Sequence, residues 1–153
     1  DYSNKDSLAD VLRHVVQEIT AVAVDVEIDC ALADLEAVDC DTHRIGQLVS
    51  NLLSNAVRYG DLSKPILLEA GVEGDEFHLA VVNQGEPIPE AAREKLFMPF
   101  QRGEVSNREK GLGLGLFIVR EIAQAHGGEM QVLSDRSETR FQLSMPRTLT
   151  PST

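Results

Sequence analysis

Tryptophan is absent, cysteine occurs only twice, and basic residues are scarce: 14 lysines and arginines face 25 acidic residues, so this 153-residue chain carries a net charge of -11. Because so acidic a surface repels phosphates at long range, no nucleic acid and no anionic membrane surface is expected as a partner. Cys30 and Cys40 each stand beside an aspartate without a metal-binding spacing, which predicts free thiols in a reducing, cytoplasmic compartment. No apolar run approaches the roughly 18 residues of a membrane span, so we expect no direct membrane contact of this domain, whether its parent protein is membrane-anchored or soluble.

Hydrophobic periodicity predicts alternating helices and strands from Ser7 to Pro146. The predicted helices are one capped by Ser7, one from Asp41 to about Gly60, a short one begun by Pro89, and one over residues 114–125. The predicted strands begin at Val24, with a short partner at residues 37–39, and continue at residues 65–72, 76–83, 129–134 and 139–145. This order predicts a single two-layer α/β sandwich, in which a mixed sheet of about five strands carries its helices on one face. Residues 1–6 are interpreted as a linker remnant and residues 147–153 as a C-terminal tail.

The stretch NLLSNAVRYG, residues 51–60, places two asparagines four residues apart on the second predicted helix. At 100° per residue, Asn51, Asn55 and Arg58 lie along the edge of an apolar stripe, neither in the core nor fully solvated. A structural explanation is that amides at the core boundary satisfy nearby backbone groups. The spacing alone does not distinguish this role from a ligand site.

A second motif, KGLGLGLFIV at residues 110–119, places Gly111, Gly113 and Gly115 at the start of the last predicted helix. Backbone N–H groups at a helix start lack intrahelical partners and can bind an anion, so the motif has the form of a phosphate cradle. It lacks the lysine and serine or threonine pair of a P-loop, and it follows a loop instead of a strand, so it matches the dinucleotide-binding fingerprint poorly. A flexible turn is the structural alternative.

Between the two motifs, Asn83 continues an inward-facing apolar row of a strand and is expected at the mouth of the core, where it can read a hydrogen-bonding edge. Gly85 would let a flat ring approach the backbone. Phe97 is expected either to anchor a loop or to pack in the core. Five basic residues also cluster here, which favours either a solvated loop or a mobile lid over polyphosphate: Arg93, Lys95, Arg102, Arg108 and Lys110.

In this order the motifs resemble the catalytic, ATP-binding domain of bacterial sensor histidine kinases, which has the Bergerat fold shared with gyrase-type ATPases. NLLSNAVRYG resembles the N box, NQGEPIP a variant of the G1 box, LFMPF the F box and GLGLGL the G2 box. The resemblance extends over about Ser7 to Pro146 and implies ATP and Mg²⁺ as ligands. The nucleotide site that it implies consists of Asn51, Asn55, Arg58, Tyr59, Asn83, Gly85, Ile88, Phe97, Lys110, Gly111, Leu112, Gly113, Leu114, Gly115 and Leu116.

On the phosphate side of that site, the resemblance implies that Asn55 coordinates the Mg²⁺ and that Asn51 supports it. An amide oxygen is a hard ligand, which Mg²⁺ accepts beside waters and substrate phosphates. The resemblance also implies that Arg58 lies near phosphate, that Tyr59 lies beside the nucleotide and that Arg102 reaches the γ-phosphate. It implies further that the three glycines hinge a lid, so that catalysis falls to Asn51, Asn55 and Arg102.

On the base side, the resemblance implies that Asn83 and Gly85 face adenine. The family's G1 box begins with aspartate, so the carbonyl of Asn83 would accept the adenine amino hydrogen without charge assistance. In the related ATPases a glutamate four residues before the metal-binding asparagine activates water, whereas this chain has Asn51 there, which cannot act as a general base near neutral pH. Transfer to a protein nucleophile is therefore favoured over attack by water, and the resemblance implies a histidine.

The chain has four histidines, His14, His43, His78 and His126. None fits the role of phosphoacceptor, because none lies in anything like the SHELRTPL pattern of the family's dimerisation helices. His126 fits a helix end and His14 an exposed helix face. The resemblance implies partners outside this chain: the histidine-bearing dimerisation domain of the same kinase and, indirectly, a response regulator receiver domain, in a homodimeric full-length protein. Two alternatives stay open, a nucleotide-gated ATPase clamp of the gyrase or chaperone type and a degenerate, non-catalytic docking module.

Overall fold

A computed structural model describes residues 7–93, 95–98 and 107–148, and in the last helix it describes side chains from Gly115 onward. Within these residues the helices are α1 (Leu8–Val22), α2 (Thr42–Tyr59), α3 (Glu90–Arg93) and α4 (Asn107–Ala125). The strands are β1 (Ile28–Leu32), β2 (Ile66–Glu73), β3 (Glu76–Asn83), β4 (Glu129–Ser134) and β5 (Thr139–Pro146). They form one sheet in the order β1-β2-β3-β5-β4.

The sheet is mixed, because β1 runs parallel to β2 whereas the other neighbouring strands are antiparallel. Alternate side chains of each strand face the helices, and Phe77, Leu79 and Val81 of β3 are fully buried there. The opposite face is mixed: it carries apolar residues such as Val82, and on it Arg140 forms an ion pair with Glu69 at 2.9 Å. The predicted two-layer α/β sandwich with helices on one face is therefore confirmed.

Helix α2 lies at the centre of the helical layer, in contact with α1, α4 and β3. Its apolar stripe is at most 1% exposed and consists of Ile45, Leu48, Val49, Leu52, Leu53 and Ala56. The Asp41 carboxylate caps the helix as predicted, accepting the Arg44 N–H at 3.2 Å. Since burying each large apolar side chain contributes about 1.5–3 kcal/mol, the stripe fixes the rotation of α2 about its axis.

Two predictions for the region between α1 and α2 are wrong. The first strand begins at Ile28 and not at Val24, because only residues from Ile28 onward pair with β2, and Val24 is 77% exposed. The predicted strand at residues 37–39 is absent, and Leu35–Ala37 form a 3₁₀ turn in its place. A period-two pattern marks residues able to form a strand, but a neighbouring strand decides where pairing starts.

The last helix also begins earlier than predicted, at Asn107 instead of residue 114. The glycines at positions 111, 113 and 115 therefore lie inside α4. Each glycine disfavours a helix by about 1 kcal/mol relative to alanine. Helical pairing nevertheless gives each of their N–H groups a carbonyl four residues earlier, which a loop would not provide. The backbone donors predicted to be free at these glycines are thus paired within the helix in this conformation.

The two cysteines are free thiols in different surroundings, Cys30 exposed and Cys40 buried. Burial, reinforced by the negative charges of Asp39 and Asp41, raises the pKa of Cys40 to about 12, so its thiol stays protonated and unreactive. Over the described ranges, no cluster of histidine, cysteine and acidic side chains could hold a metal ion. Nor is any helix within those ranges long and apolar enough to cross a membrane.

His126 links the two helices that carry the sequence motifs. His126 is the first residue after α4 and is 6% exposed. Its Nε2 accepts a hydrogen bond from the Asp41 N–H at 3.2 Å. Since a backbone N–H can only donate, the ring hydrogen is on Nδ1, which donates to Ile122 O at 3.0 Å. Because Asp41 caps α2, the imidazole joins the end of α4 to the start of α2.

We predict that His126→Leu lowers the free energy of unfolding by about 1–3 kcal/mol, because it leaves the Asp41 N–H without its acceptor. Urea denaturation of both proteins measures the change. The control is His14→Leu, since His14 is exposed and its ion pair with Glu18 contributes little; a change within about 0.5 kcal/mol is expected there. Equal destabilisation by the two substitutions would contradict a linking role for His126.

Candidate functional site

A cavity of about 260 Å³ opens between the C-terminal half of α2, the end of β3 and the segment that follows β3. Five residues predicted for the site line it: Asn55, Tyr59, Asn83, Ile88 and Leu116. The first and last of these residues, Asn55 and Leu116, are 61 positions apart in the sequence. The sequence motifs therefore meet at one place in the fold.

Asn55 reaches this cavity because α2 turns its polar edge toward it. The residue adjoins the buried stripe of the helix and is 8% exposed. Its carboxamide makes no hydrogen bond to any other residue that the structure describes. A carboxamide that lines a cavity and has no partner among the described residues is available to a ligand, so Asn55 has the surroundings of a ligand-binding side chain.

Asn83 enters the cavity from the last position of β3, where it continues the buried row of that strand as predicted. It is 8% exposed, and its Nδ2 donates to Gln84 O at 3.3 Å. With the amide in this orientation, Oδ1 is the atom left to accept a hydrogen bond from a ligand.

The end of α2 and the end of β3 approach each other closely at two glycines. A Cβ atom on Gly60 would lie 2.6 Å from Ala56 O and 3.0 Å from Asn83 Nδ2. A Cβ atom on Gly85 would lie 3.3 Å from Asp61 N. A backbone hydrogen bond from Asp61 N–H to Gln84 O, 2.6 Å, closes this contact. Glycine at both positions thus permits the approach that brings Asn83 beside α2.

Several lining residues were missed by the sequence analysis, among them Leu96, Thr139, Phe141 and residues 86, 87 and 89. Thr139 is 3% exposed and stands directly opposite Asn83 in the β3–β5 register. The alternation of Thr139 and Phe141 along β5 could have indicated this inward position, but which strand lies beside β3 is not visible in the sequence.

Other predicted residues lie around the cavity without lining it. Asn51 is half-buried and donates through Nδ2 to Gly115 O at 3.3 Å, so it links α2 to α4 as a boundary amide does. Phe97 packs edge-on against Phe141 with ring centroids 6.2 Å apart, so it lies partly buried against the core beside a residue that lines the cavity. Arg58 is exposed at the end of α2.

The remaining predicted residues are only partly described or not described. Arg102 lies outside the described residues. The backbone of Lys110, Gly111, Leu112, Gly113 and Leu114 belongs to α4, but their side chains lie outside what the structure describes. The phosphate side of the predicted site therefore stays a prediction.

The cavity suits a flat heteroaromatic ring. Apolar side chains of Ile88, Leu116 and Phe141 line it together with the carboxamides of Asn55 and Asn83, which is the mixture of apolar surface and a few polar groups typical of small-molecule sites. Its volume of about 260 Å³ lies just below the roughly 300–1,000 Å³ of sites for drug-sized ligands. The cavity is therefore large enough for one such ring system.

Comparison with known proteins identifies a family and several related proteins. Residues 40–149 match a family model described as histidine kinase-, DNA gyrase B-, and HSP90-like ATPase. The probable sensor kinase SilS of Salmonella typhimurium is 41% identical over 112 residues, which are 72% of this chain and 22% of SilS. The bacteriophytochrome of Pseudomonas aeruginosa is 33% identical over 141 residues, which are 91% of this chain and 19% of that protein. The chain thus spans about a fifth of the length of these curated relatives.

A solved structure shares the fold across nearly all of both chains. The catalytic domain of histidine kinase ThkA, in a nucleotide-free form, matches with a TM-score of 0.80 at 26% identity and covers 94% of this chain and 95% of that chain. The fold expected from the sequence resemblance is thereby confirmed.

Proposed function

We propose that this chain, which belongs to the family of histidine kinase-, DNA gyrase B- and HSP90-like ATPases, binds Mg-ATP and transfers the γ-phosphoryl group to a histidine. Within that family it is the catalytic ATP-binding domain of a sensor histidine kinase. The observation that carries the proposal is one cavity into which Asn55 and Asn83 both turn nearly buried carboxamides. Each amide has a distinct task in recognising such a nucleotide.

Asn83 is the proposed reader of the adenine edge. Its Nδ2 is engaged by Gln84 O, so Oδ1 faces the ligand as an acceptor. The exocyclic amino group of adenine donates hydrogen bonds, whereas the oxygen at the same position of guanine cannot donate. A neutral acceptor in the cavity wall would therefore select adenine, with the modest strength of an uncharged hydrogen bond.

Asn55 is the proposed protein ligand of Mg²⁺, and the residues present fit such an ion. The carboxamide is nearly buried and, among the described residues, has no partner that would compete for its oxygen. Mg²⁺ prefers a few hard oxygen ligands and keeps waters and substrate phosphates as the others. When bound there, the ion would neutralise charge on the phosphoryl group that is transferred.

Asn51 favours transfer to a protein group over hydrolysis. A carboxamide does not take up a proton near neutral pH, and Asn51 already donates to Gly115 O, so it cannot activate water as a general base. The proposed acceptor is a histidine on a dimerisation domain of the same kinase, from which a response regulator would receive the phosphoryl group. Because the chain spans about a fifth of its curated relatives, both partners lie outside it in this proposal.

The test is a calorimetric titration of the chain with ATP, in the presence of Mg²⁺ and in the presence of EDTA. We predict binding that is tighter with Mg²⁺, and we predict that Asn55→Ala abolishes this dependence because it removes the proposed metal ligand. The fold should survive, since Asn55 lies at the edge of the buried stripe. The matched control is Ser54→Ala, an exposed neighbour on the same helix, which should behave like the unaltered chain. Unchanged Mg²⁺ dependence in Asn55→Ala would rule out this role, and failure of the unaltered chain to bind would rule out the proposed function.

We further predict negligible steady-state ATP hydrolysis and negligible self-labelling with γ-labelled ATP, because Asn51 cannot act as a general base and no histidine of the chain fits the phosphoacceptor pattern. Adding the dimerisation helices of the same kinase should produce labelling on one histidine of those helices. Brisk hydrolysis by the chain alone would favour a nucleotide-gated clamp instead.

A third prediction concerns Asn83→Asp. A charge-assisted hydrogen bond contributes about 1.5–3 kcal/mol against 0.5–1.5 for a neutral one, but desolvation of the new carboxylate offsets part of the gain. We therefore expect about 3–10-fold tighter ATP binding with little change for GTP, measured for both proteins in one buffer. Equal tightening of both nucleotides would show that Asn83 does not read adenine.

A further inference from the structure

The segment that walls one side of the cavity, residues 86–89, is fastened to the β4–β5 hairpin by an arginine. Arg93, the last residue of α3, turns its guanidinium back along the chain, and its Nε donates to Ile88 O at 3.0 Å. Its Nη2 donates to Ser134 O, at the end of β4, at 2.8 Å. Because the guanidinium is planar and rigid, it holds the two carbonyl groups at a fixed separation.

The hydroxyl group of Ser134 makes a second connection between the same two parts of the chain. Its Oγ accepts the Ile88 N–H at 2.9 Å. It also shares a hydrogen bond of 2.7 Å with Thr139 Oγ1. The N–H and the carbonyl group of Ile88 are thus both hydrogen-bonded, and a continuous series of hydrogen bonds runs from Arg93 to Thr139. Thr139 lines the cavity beside Asn83, its register partner on β3. We call Arg93 and Ser134 together the clasp.

Hydrophobic packing holds this segment only weakly. Helix α3 has no buried residue, and Ile88 is only partly buried against the core. The prolines at positions 87 and 89 restrict the backbone locally, but they set no distance to the hairpin. Among the described residues, the polar contacts of the clasp are what joins Ile88 directly to the hairpin, while Phe97 packs further along the chain against Phe141 of β5.

We propose that Arg93 and Ser134 are positioning residues of the nucleotide site, which hold Ile88 and Thr139 in the arrangement that receives the adenine ring before the nucleotide binds. The proposal rests on the proposed function, since it assigns the cavity to adenine. A wall that is fixed in advance avoids the entropic cost of ordering it on binding, so the clasp increases affinity without touching the ligand.

The test compares Arg93→Met, Ser134→Ala and the double variant in calorimetric titrations with Mg-ATP. Each single variant should bind about 3–10-fold more weakly, as expected for losing hydrogen bonds that order one wall. The double variant should lose less than the product of the two single effects, because both residues fix the same segment. Amide hydrogen exchange of Ile88, measured without nucleotide, should accelerate in all three variants.

Two further variants separate positioning from general stability. Ser134→Thr retains the hydroxyl group and should bind within about twofold of the unaltered chain, because the bond to the Ile88 N–H can persist. Arg140→Met removes a different guanidinium, that of a residue in β5. Arg140 is next to Thr139 in sequence but pairs with Glu69 on the opposite face of the sheet, so its loss should leave affinity unchanged.

The outcomes distinguish this inference from the proposed function. If the unaltered chain binds Mg-ATP and the clasp variants bind equally well, the clasp is not a positioning device. The inference fails in the same way if Ser134→Thr is as weak as Ser134→Ala, or if Arg140→Met weakens binding as much as Arg93→Met. If the unaltered chain does not bind Mg-ATP, the proposed function fails, and the role assigned to the clasp fails with it.

Discussion

Burial of the apolar stripe of α2 is the constraint on which the rest of the site depends. The stripe packs between α1, α4 and β3, and its residues are at most 1% exposed. Turning the helix by one residue, 100°, would expose leucines whose burial contributes about 1.5–3 kcal/mol each, and it would place amides in an apolar core. The helix therefore has one stable rotation, and that rotation directs Asn55 into the cavity.

The same rotation gives two chemically identical side chains different roles. Asn51 lies one turn before Asn55 and meets α4, where it donates to Gly115 O. Asn55 meets the open space beyond the end of β3 and, within the described residues, keeps its carboxamide unpaired. The structural explanation for boundary amides thus holds for Asn51, whereas the ligand role of Asn55 belongs to the proposed function. Sequence spacing predicted the shared edge, but only the neighbouring elements separate the two roles.

What the sequence could predict follows the range of the interactions involved. The bounds of β3 and β4, the cap at Asp41 and the inward position of Asn83 depend on local patterns, and the structure confirms them. The start of β1 depends on pairing with β2, and Thr139 enters the site through its register with Asn83, so neither was visible locally. Arg93 was grouped with basic residues of a possible phosphate lid, yet its guanidinium binds two backbone carbonyl groups. Charge composition could not reveal this, because an arginine that binds phosphate and an arginine that binds backbone carbonyl groups look the same in the sequence.

The two sides of the site differ in how firmly they are held. The proposed base side is tied to the sheet by the close approach of Gly60 and Gly85 and by the hydrogen bond that the Ile88 N–H donates to Ser134 Oγ of the hairpin. The phosphate side depends on α4, whose C-terminal half is anchored by core residues and by the His126 link to α2. Three glycines occupy the other half, each disfavouring a helix by about 1 kcal/mol relative to alanine, so its helical state has the smallest intrinsic margin. If α4 rearranges when phosphates bind, as the proposed function allows, the change would therefore cost least at the glycines. Under the proposed function, the base would therefore meet the part of the site that is tied to the sheet, and the phosphates would meet the glycine-containing half of α4.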